Sequence, residues 1–444
     1  MKRLHRRTMI TLLLTLGFTA GVVFFCVRLF QQGENWVGYF GSTYYTSGVI
    51  FDQNGTQLYD GQSGSYAQDK DTRISTLHLV GDKNFGSSLR TKLASRLTGY
   101  NPITGTTLGC HDVTLTVDAA LNKTAYAALG GHKGVVAMYN YRTGDVLCLV
   151  SSPAYDPLNP PADVNENSAY DGVYVNRFFS GTYPPGSTFK LITTAAALEK
   201  MEDVEDFSYT CTGTFRIGDD DITCPYAHGR NLSLEDCLAC SCNGAYAVLA
   251  LELDGKTLGS YMETAGLLNS LEVCGIHSAP GSFEAEDENT AYLGWSGVGQ
   301  DRDLVNPCSM LAFVGSIANR GVAVTPQLVE KETLTGSVVP AAFPDSMETY
   351  RTFNEQTCSR LKEMMRNNVV SQYGQEQFGD LPVCAKSGTA EVGGADPHAW
   401  FVGFVDDDDF PMAFVVLVEN GGWGSTVAGS VAAQVLSAAA AEKG

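Results

Sequence analysis

The stretch GTYPPGSTFKLI, residues 181–192, joins a rigid turn to the start of an apolar helix. Pro184 and Pro185 hold the chain in an extended approach, and Gly186 permits a sharp turn after them. The residues from 188 to 199 are apolar on nearly every side, so the helix they form is predicted to lie inside the protein. Ser187 then belongs to the first turn of a buried helix, where free N–H groups and the helix dipole favour developing negative charge.

Lys190 follows Ser187 by three positions, which puts the two side chains on one face of a helix. Apolar surroundings disfavour the ammonium form and lower the pKa of a lysine, so a neutral Lys190 amine becomes available as a base for the Ser187 hydroxyl. The same residues also fit a structural interpretation, in which the serine caps the helix and the lysine extends to solvent. The spacing alone does not decide between the two, because a serine three residues before a lysine is common by chance.

A second polar pair, Ser241 and Asn243, lies in the otherwise apolar run CLACSCNGAYAVLALEL. A hydroxyl and an amide at alternate positions can bridge Lys190 and an amide group of a bound substrate. This pair therefore favours the catalytic interpretation of Ser187.

A third group opens the strand-like segment KSGTAEV, residues 386–392. The Lys386 ammonium and the Ser387 hydroxyl at the start of a strand suit the capture of a substrate carboxylate. Gly388 allows the backbone to approach closely, and the N–H groups from Thr389 onwards can stabilise an oxyanion.

The remaining patterns predict an α/β layered domain. Residues 47–60 carry a hairpin signal at Asn54-Gly55, and residues 134–157 form two strands joined at Thr143-Gly144. Asp118 begins a short amphipathic helix. Three strand-like runs and an Ala-rich helix end the chain, and the last of these runs is apolar almost throughout, which is typical of a central strand covered on both faces.

The N-terminus predicts a membrane anchor. An uncharged run at 8–27 is about as long as a helix that crosses a bilayer, and it follows five basic residues (Lys2, Arg3, His5, Arg6 and Arg7). A cleaved signal peptide is disfavoured because no small-residue cut site follows, and a core helix is disfavoured by the basic flank. We expect a cytoplasmic segment 1–7, a single-pass anchor 8–30 in the cell membrane, and an extracytoplasmic remainder.

Charge and cysteine content narrow the class of protein further. The formal net charge of −20 argues against binding of nucleic acid. Of 12 cysteines, Cys211 and Cys224 bracket a hairpin-like segment and are candidates for a disulfide. The C-x-x-C at Cys237 and Cys240 lacks a second pair and a neighbouring histidine cluster, so no metal site is expected.

The ordered motifs Ser187-Thr-Phe-Lys190, Ser241-Cys-Asn243 and Lys386-Ser-Gly388 resemble those of the penicillin-binding protein transpeptidases. Other segments, among them YRTGDVLCLVSSPAYDP and SGVGQDRDLVNPCSMLAFVGSIANRGVAVTP, extend the resemblance over much of the chain. The resemblance implies a penicillin-binding, serine β-lactamase-like α/β domain at 111–444, in which helices cover both faces of an antiparallel sheet beside an all-α part. A small β-rich pedestal is expected at 31–110.

The resemblance also implies a role for each motif. Ser187 would attack the penultimate D-Ala carbonyl of a peptidoglycan stem peptide and release the terminal D-Ala, with Lys190 as the base. Ser241 and Asn243 would relay protons and hold the peptide.

On the opposite strand, Lys386 and Ser387 would bind the terminal carboxylate beside Gly388. The N–H groups of Ser187 and Thr389 would form the oxyanion hole. An amine of a second stem peptide would then resolve the acyl-enzyme, β-lactams would trap Ser187, and no metal or other cofactor is implied.

Among relatives of this type, a monofunctional, class B-like D,D-transpeptidase fits best. About 80 residues between anchor and catalytic domain are too few for a glycosyltransferase module. A β-lactam-hydrolysing enzyme and a β-lactam sensor remain alternatives, the first without a recognisable deacylating glutamate and the second without signalling segments before the anchor. The resemblance further implies a multi-spanning glycan polymerase of the SEDS type (shape, elongation, division and sporulation) as a partner.

Overall fold

The fold is described from a computed structural model of the chain. It covers residues 2–44, 47–86, 88–101, 104, 106–107, 109–284, 290–300, 302–336 and 347–443. For residues 2–4, 29–44 and 442–443 only the backbone is described.

The helices are α1 (Lys2–Tyr44), α2 (Lys70–Ser75), α3 (Leu77–Val80), α4 (Leu89–Lys92), α5 (Ala94–Thr98), α6 (Ala119–Ala128), α7 (Arg177–Ser180), α8 (Lys190–Lys200), α9 (Leu234–Ala239), α10 (Asn243–Leu253), α11 (Gly255–Thr264), α12 (Ala291–Val298), α13 (Pro307–Ala318), α14 (Glu355–Asn368) and α15 (Val427–Lys443). The strands are β1 (Val49–Phe51), β2 (Gln57–Asp60), β3 (Ser65–Tyr66), β4 (Tyr100–Asn101), β5 (Thr106–Thr107), β6 (His111–Leu115), β7 (Gly134–Asn140), β8 (Val146–Ser152), β9 (Tyr209–Cys211), β10 (Thr214–Ile217), β11 (Asp220–Thr223), β12 (Gly229–Leu232), β13 (Glu272–Val273), β14 (Ile276–His277), β15 (Val322–Val324), β16 (Val329–Leu334), β17 (Thr349–Arg351), β18 (Val383–Ala390), β19 (His398–Val405) and β20 (Met412–Val418).

Helix α1 contains the expected anchor but is longer than expected. The part His5–Arg28 is apolar and long enough to cross a membrane, with a mean hydropathy of 2.3, and none of it is buried against the rest of the protein. This exposure fits a single-pass membrane anchor. The helix continues to Tyr44, so residues 31–44 are helical and do not belong to a β-rich pedestal.

A five-stranded sheet in the order β16-β6-β1-β2-β3 follows the anchor. The hairpin of β1 and β2 turns at Asn54-Gly55, where Gly55 has a φ of 81°, so this predicted turn is confirmed. β1 also pairs in parallel with β6, and β6 pairs with β16. The sheet therefore extends across the expected boundary at residue 110, and helices α2 to α5 make the preceding segment mixed rather than β-rich.

The larger part of the chain is built on a central antiparallel sheet in the order β18-β19-β20-β7-β8. β20 is the middle strand and all its residues are buried, as its continuous apolar pattern predicts. Helices α6 and α15 pack on one face, and α13 packs on the other. The predicted layered α/β fold is confirmed, including the helix that Asp118 caps at its N-terminus.

An all-helical part packs beside this sheet, with α8 among α10, α11, α12 and α14. Every residue from Lys190 to Ala197 is buried, which confirms the prediction that this helix has no solvent-facing side over that stretch. Because α8 begins next to β18, the turn before the helix lies against the edge strand of the sheet.

A buried ion pair connects α2, which follows β3 of the first sheet, to the segment after β8 of the central sheet. Arg73 of α2 donates through Nε and Nη2 to the two carboxylate oxygens of Asp156, over 2.7 and 2.9 Å. Both side chains are more than nine-tenths buried. Such a bidentate geometry satisfies the charge of both groups and fixes their relative orientation.

Candidate active site

Ser187 lies in the 3₁₀ turn Gly186–Thr188, directly before α8. Gly186 has a φ of 52°, and a Cβ there would come within 2.9 to 3.1 Å of backbone atoms of Thr389 and Ala390. Glycine is therefore required both by the left-handed backbone and by the close approach to β18. The turn is held from the other side by a 2.8 Å hydrogen bond from Gly186 N to Gly299 O.

The Lys190 amine is completely buried and is held by the second motif. Its Nζ donates to Ser241 O over 2.7 Å, to Ser241 Oγ over 3.1 Å and to Asn243 Oδ1 over 2.8 Å. None of the side chains that the structure describes forms a hydrogen bond with Ser187 Oγ. The amine is thus fixed by Ser241 and Asn243, while the serine hydroxyl keeps its hydrogen-bonding capacity for a bound molecule.

A strained turn brings Ser241 to this position. Ser241 follows α9 with a φ of 56°, which is unusual for a residue that has a side chain. Asn243 begins α10, and its Nδ2 donates over 2.7 Å to Thr223 O, so its Oδ1 faces Lys190. A strained backbone that persists in a folded protein is typical of functional sites.

The third motif lies on β18, an edge strand of the central sheet. Side chains alternate along a strand, and Ser387 and Thr389 line the cleft beside Ser187, whereas Lys386 is buried and Gly388 faces the 186–188 turn. A Cβ on Gly388 would come within 2.8 Å of Pro185 O, so this glycine permits the close packing.

Two lysine amines meet at one hydroxyl. Lys386 Nζ donates over 3.1 Å to Ser241 Oγ, the same atom that Lys190 contacts. The pKa of each lysine is lowered to about 7, chiefly by burial, and the nearby Lys386 charge contributes to the lowered pKa of Lys190. Because two cations so close repel, the pair readily loses one proton, which leaves a neutral amine beside a charged one.

Three further residues, in or next to the cleft, lie outside the three motifs. Tyr373, which the sequence analysis missed, accepts hydrogen bonds from Ser387 N and Ser387 Oγ, both over 3.0 Å. Gln300 donates over 3.1 Å to Thr389 O. Trp400 is fully buried and donates to Pro184 O, which makes it a packing residue.

These residues surround a cleft of about 950 Å³. Ser187, Ser241, Asn243, Ser387 and Thr389 all line it. Three sequence motifs that are far apart in the chain thus meet at one concave site with two buried amines. Titratable groups with shifted pKa values in a cleft are typical of catalytic sites.

The two cysteines expected to form a disulfide, Cys211 and Cys224, are not bonded to each other. Cys211 Sγ and Cys224 Sγ are 3.8 Å apart, and both are free thiols. Cys242, the middle residue of the second motif, lies 3.9 Å from Cys224. The cysteines therefore form a larger cluster, next to the cleft.

Comparison with known proteins agrees with this architecture. Residues 134–437 match the family model of the penicillin-binding protein transpeptidase domain. The chain is 31% identical over 360 residues to the peptidoglycan D,D-transpeptidase PbpA of Mycolicibacterium smegmatis. This alignment covers 74% of this chain and 70% of that protein.

Two solved structures show the same fold. The imipenem acyl-enzyme complex of penicillin-binding protein A from M. tuberculosis superposes with a TM-score of 0.77 at 25% identity, covering 90% of this chain and 99% of that one. The penicillin-binding protein in a complex with MreC from Helicobacter pylori superposes with a TM-score of 0.66 at 20% identity, covering 74% of this chain and 64% of that one. Fold, family model and relatives agree, and the chain belongs to the class B penicillin-binding protein transpeptidases.

Proposed function

We propose that the chain is a serine D,D-transpeptidase that cross-links peptidoglycan stem peptides and binds β-lactams covalently. The observation that carries the proposal is the convergence of two fully buried amines, those of Lys190 and Lys386, on the Ser241 hydroxyl beside Ser187. One amine serves as a base and the other as a cationic anchor. The name of the M. smegmatis relative and the imipenem acyl-enzyme of the M. tuberculosis protein support the same activity.

In the first step, the Ser187 oxygen attacks the carbonyl of the penultimate D-Ala while its proton passes to the neutral Lys190 amine. The C–N bond to the terminal D-Ala then breaks, and Ser241, in hydrogen-bond contact with Lys190, relays a proton to the leaving nitrogen. The product of this step is an ester between Ser187 and the stem peptide. Asn243 orients Lys190 and is available to hold the peptide amide.

Edge strand β18 supports the binding of the reacting peptide. The N–H and C=O of one residue in an antiparallel strand point to the same side, and Thr389 O faces the Gln300 side chain in the cleft. The Thr389 N–H therefore faces the cleft as well, where it and the N–H of Ser187 can stabilise the oxyanion. Lys386 and Ser387 provide the charge and the hydroxyl for the terminal carboxylate.

In the second step, an amine of a neighbouring stem peptide attacks the ester carbonyl. As the new C–N bond forms, the attacking amine gives a proton to the neutral Lys190 amine through Ser241. The C–O bond to Ser187 then breaks, the serine oxygen takes that proton from Lys190, and a new amide cross-link remains. A β-lactam follows the first step only, because its ring opens without releasing a leaving group from the cleft, and the acyl-enzyme persists.

The anchor determines where this reaction takes place. We place the basic segment 1–7 in the cytoplasm and the catalytic part outside the cell membrane, on the basis of the basic flank before the apolar part of α1. A glycan polymerase of the SEDS type is the partner we propose, contacting α1 and the sheet β16-β6-β1-β2-β3. The MreC complex of the H. pylori protein supports the use of this fold in protein assemblies.

The test is covalent labelling of the full chain in detergent with a fluorescent penicillin. We expect one stable adduct per chain by intact-mass spectrometry, no adduct in Ser187→Ala, and slow labelling in Lys190→Ala. Incubation with a D-Ala-D-Ala stem peptide and an acceptor amine should release D-Ala and produce the cross-linked peptide.

Three outcomes contradict the proposal. Rapid turnover of the penicillin, with free enzyme regenerated, identifies a β-lactam-hydrolysing enzyme. Stable acylation without any release of D-Ala from stem peptides identifies a β-lactam sensor. A labelled peptide that lacks Ser187 excludes the assigned nucleophile.

A further inference from the structure

Three cysteines and a histidine meet beside the cleft and have no role in the proposed reaction. Cys211 ends β9, Cys224 follows β11, His228 precedes β12 and Cys242 precedes α10. One donor atom from each lies within 4.8 Å of the donor atoms of the other three. Cys211 and Cys242 are buried, and the other two are half-buried.

The spacings between these donors match the edges of a zinc tetrahedron. Zn–S bonds of about 2.3 Å and Zn–N bonds of about 2.05 Å require S···S edges of about 3.8 Å and S···N edges of about 3.6 Å. The observed S···S distances are 3.8 Å for Cys211 with Cys224 and 3.9 Å for Cys224 with Cys242. Cys211 Sγ lies 3.3 Å from His228 Nδ1.

We infer that Cys211, Cys224, Cys242 and His228 form a structural Zn²⁺ site with three thiolate sulfurs and one imidazole nitrogen as ligands. Four protein ligands complete a tetrahedron, so the metal has no open position for chemistry. The Asn243 N–H donates over 3.2 Å to Cys224 Sγ, as outer-shell donors do towards metal-bound thiolates. A Cys211–Cys224 disulfide would leave Cys242 and His228 without a reason for their convergence.

The ligands come from three separate segments, which explains why the sequence did not predict the site. The expectation of no metal rested on the C-x-x-C of Cys237 and Cys240, and neither residue belongs to the cluster. Cys224 lies thirteen residues after Cys211 with a strand pair between them, and His228 lies four residues further on. Cys242 reaches them only through the fold of α9 and the strained turn at Ser241.

The metal has a structural task here. The strands between residues 209 and 232 are short and expose most of their side chains, so this segment has little hydrophobic core of its own. Small units of this kind commonly depend on a metal or a disulfide for stability. Because Cys242 is the middle residue between Ser241 and Asn243, zinc would fix the turn that holds the Lys190 amine.

The first test is the metal content of the full chain purified in detergent without added zinc. We expect about one zinc per chain by elemental mass spectrometry, as for a structural site that binds metal tightly. Cys211→Ser and His228→Ala should lose it, whereas His228→Cys should retain it as a four-cysteine site. Cys240→Ser is the matched control, because Cys240 lies two residues before the ligand Cys242 but outside the cluster. This variant should keep its zinc.

A second measurement avoids substitutions that disturb folding. Cobalt-loaded wild-type chain should show the intense visible bands of tetrahedral thiolate coordination, and removal of zinc by a chelator should lower the Tm reversibly. Wild-type chain without zinc, or a disulfide between Cys211 and Cys224 located by peptide mapping, would overturn the inference.

The zinc site and the proposed transpeptidase activity can fail separately. Ser187→Ala should contain as much zinc as the wild type although it cannot be acylated. If chelated wild type is acylated by penicillin as fast as the zinc-loaded chain, the inferred support of the Ser241 turn is wrong.

Discussion

The rate at which penicillin acylates the chain should depend on pH through Lys190. A lysine with its ordinary pKa of 10.5 is neutral in about one molecule in 3000 at pH 7, whereas a pKa of about 7 leaves about half of the molecules neutral. Burial of Nζ thus increases the population of the base by about a thousandfold. Below its pKa the amine binds a proton and cannot accept that of Ser187, so the rate must fall as the pH is lowered.

The assay is the second-order rate constant for a fluorescent penicillin, measured with the full chain in detergent from pH 5 to 9. The neutral fraction of Lys190 rises from about 0.01 at pH 5 to about 0.5 at pH 7, while the charged fraction of Lys386 falls from about 1 to about 0.5, so the rate should rise about twenty-fivefold over this range. Above pH 7 the rise should stop, and the rate should then decrease as Lys386, whose pKa is also lowered to about 7, loses the charge that binds the carboxylate. The profile is a bell, whose two limbs belong to the coupled pair.

Lys386→Gln is the informative control. It removes a neighbouring positive charge, so the pKa of Lys190 should rise and the acid limb should move to higher pH, while the decrease on the alkaline side disappears. A rate that continues to rise tenfold per pH unit up to pH 9 would mean that Lys190 is hydrated and has its ordinary pKa. A flat profile in wild type would mean that another group is the base, and the reasoning from burial would be refuted.

Three further predictions concern the scaffold. Asp156→Asn should lower the free energy of unfolding by about 3 to 5 kcal/mol, measured by denaturant titration, because the buried Arg73 loses its partner. Arg73 also holds the pKa of Asp156 below its usual value. The stabilisation by this pair is therefore present above the unfolded pKa of about 4 and is lost as the pH falls further. Gly299→Ala should slow acylation and lower the Tm, because its φ is 88° and a Cβ would overlap Gly186 O, and an unchanged rate would contradict the role assigned to this contact. Tyr373→Phe should retain the fold by circular dichroism and reduce acylation severalfold, because the backbone N–H at the carboxylate site loses its acceptor.

Local patterns predicted the elements that local physics determines. The turn at Asn54-Gly55, the cap at Asp118 and the buried α8 depend on a few neighbouring residues, and all three are confirmed. The motif residues were recognised by type and order, although nothing in their spacing shows that Lys386 and Lys190 contact one hydroxyl.

These local patterns did not predict contacts between residues that are distant in the sequence. The role of Tyr373 depends on a contact with β18 across the fold, and the cysteine cluster depends on the convergence of three segments. The continuation of α1 to Tyr44 was missed because its second half lacks the apolar run that marks the first. In each case the deciding partner is distant in sequence or the local signal is weak.

The membrane-proximal sheet has a consequence for how the chain can be divided. Two of its five strands, β6 and β16, are separated by more than two hundred residues and enclose most of the catalytic part between them. Removal of residues 1–110 would also remove β1, the strand that pairs with β6. The edge of β6 would then be exposed, and exposed strand edges promote aggregation. During synthesis, the sheet cannot close until the ribosome has passed β16, and the central sheet must wait longer still, because β18, β19 and β20 follow β16 in the chain.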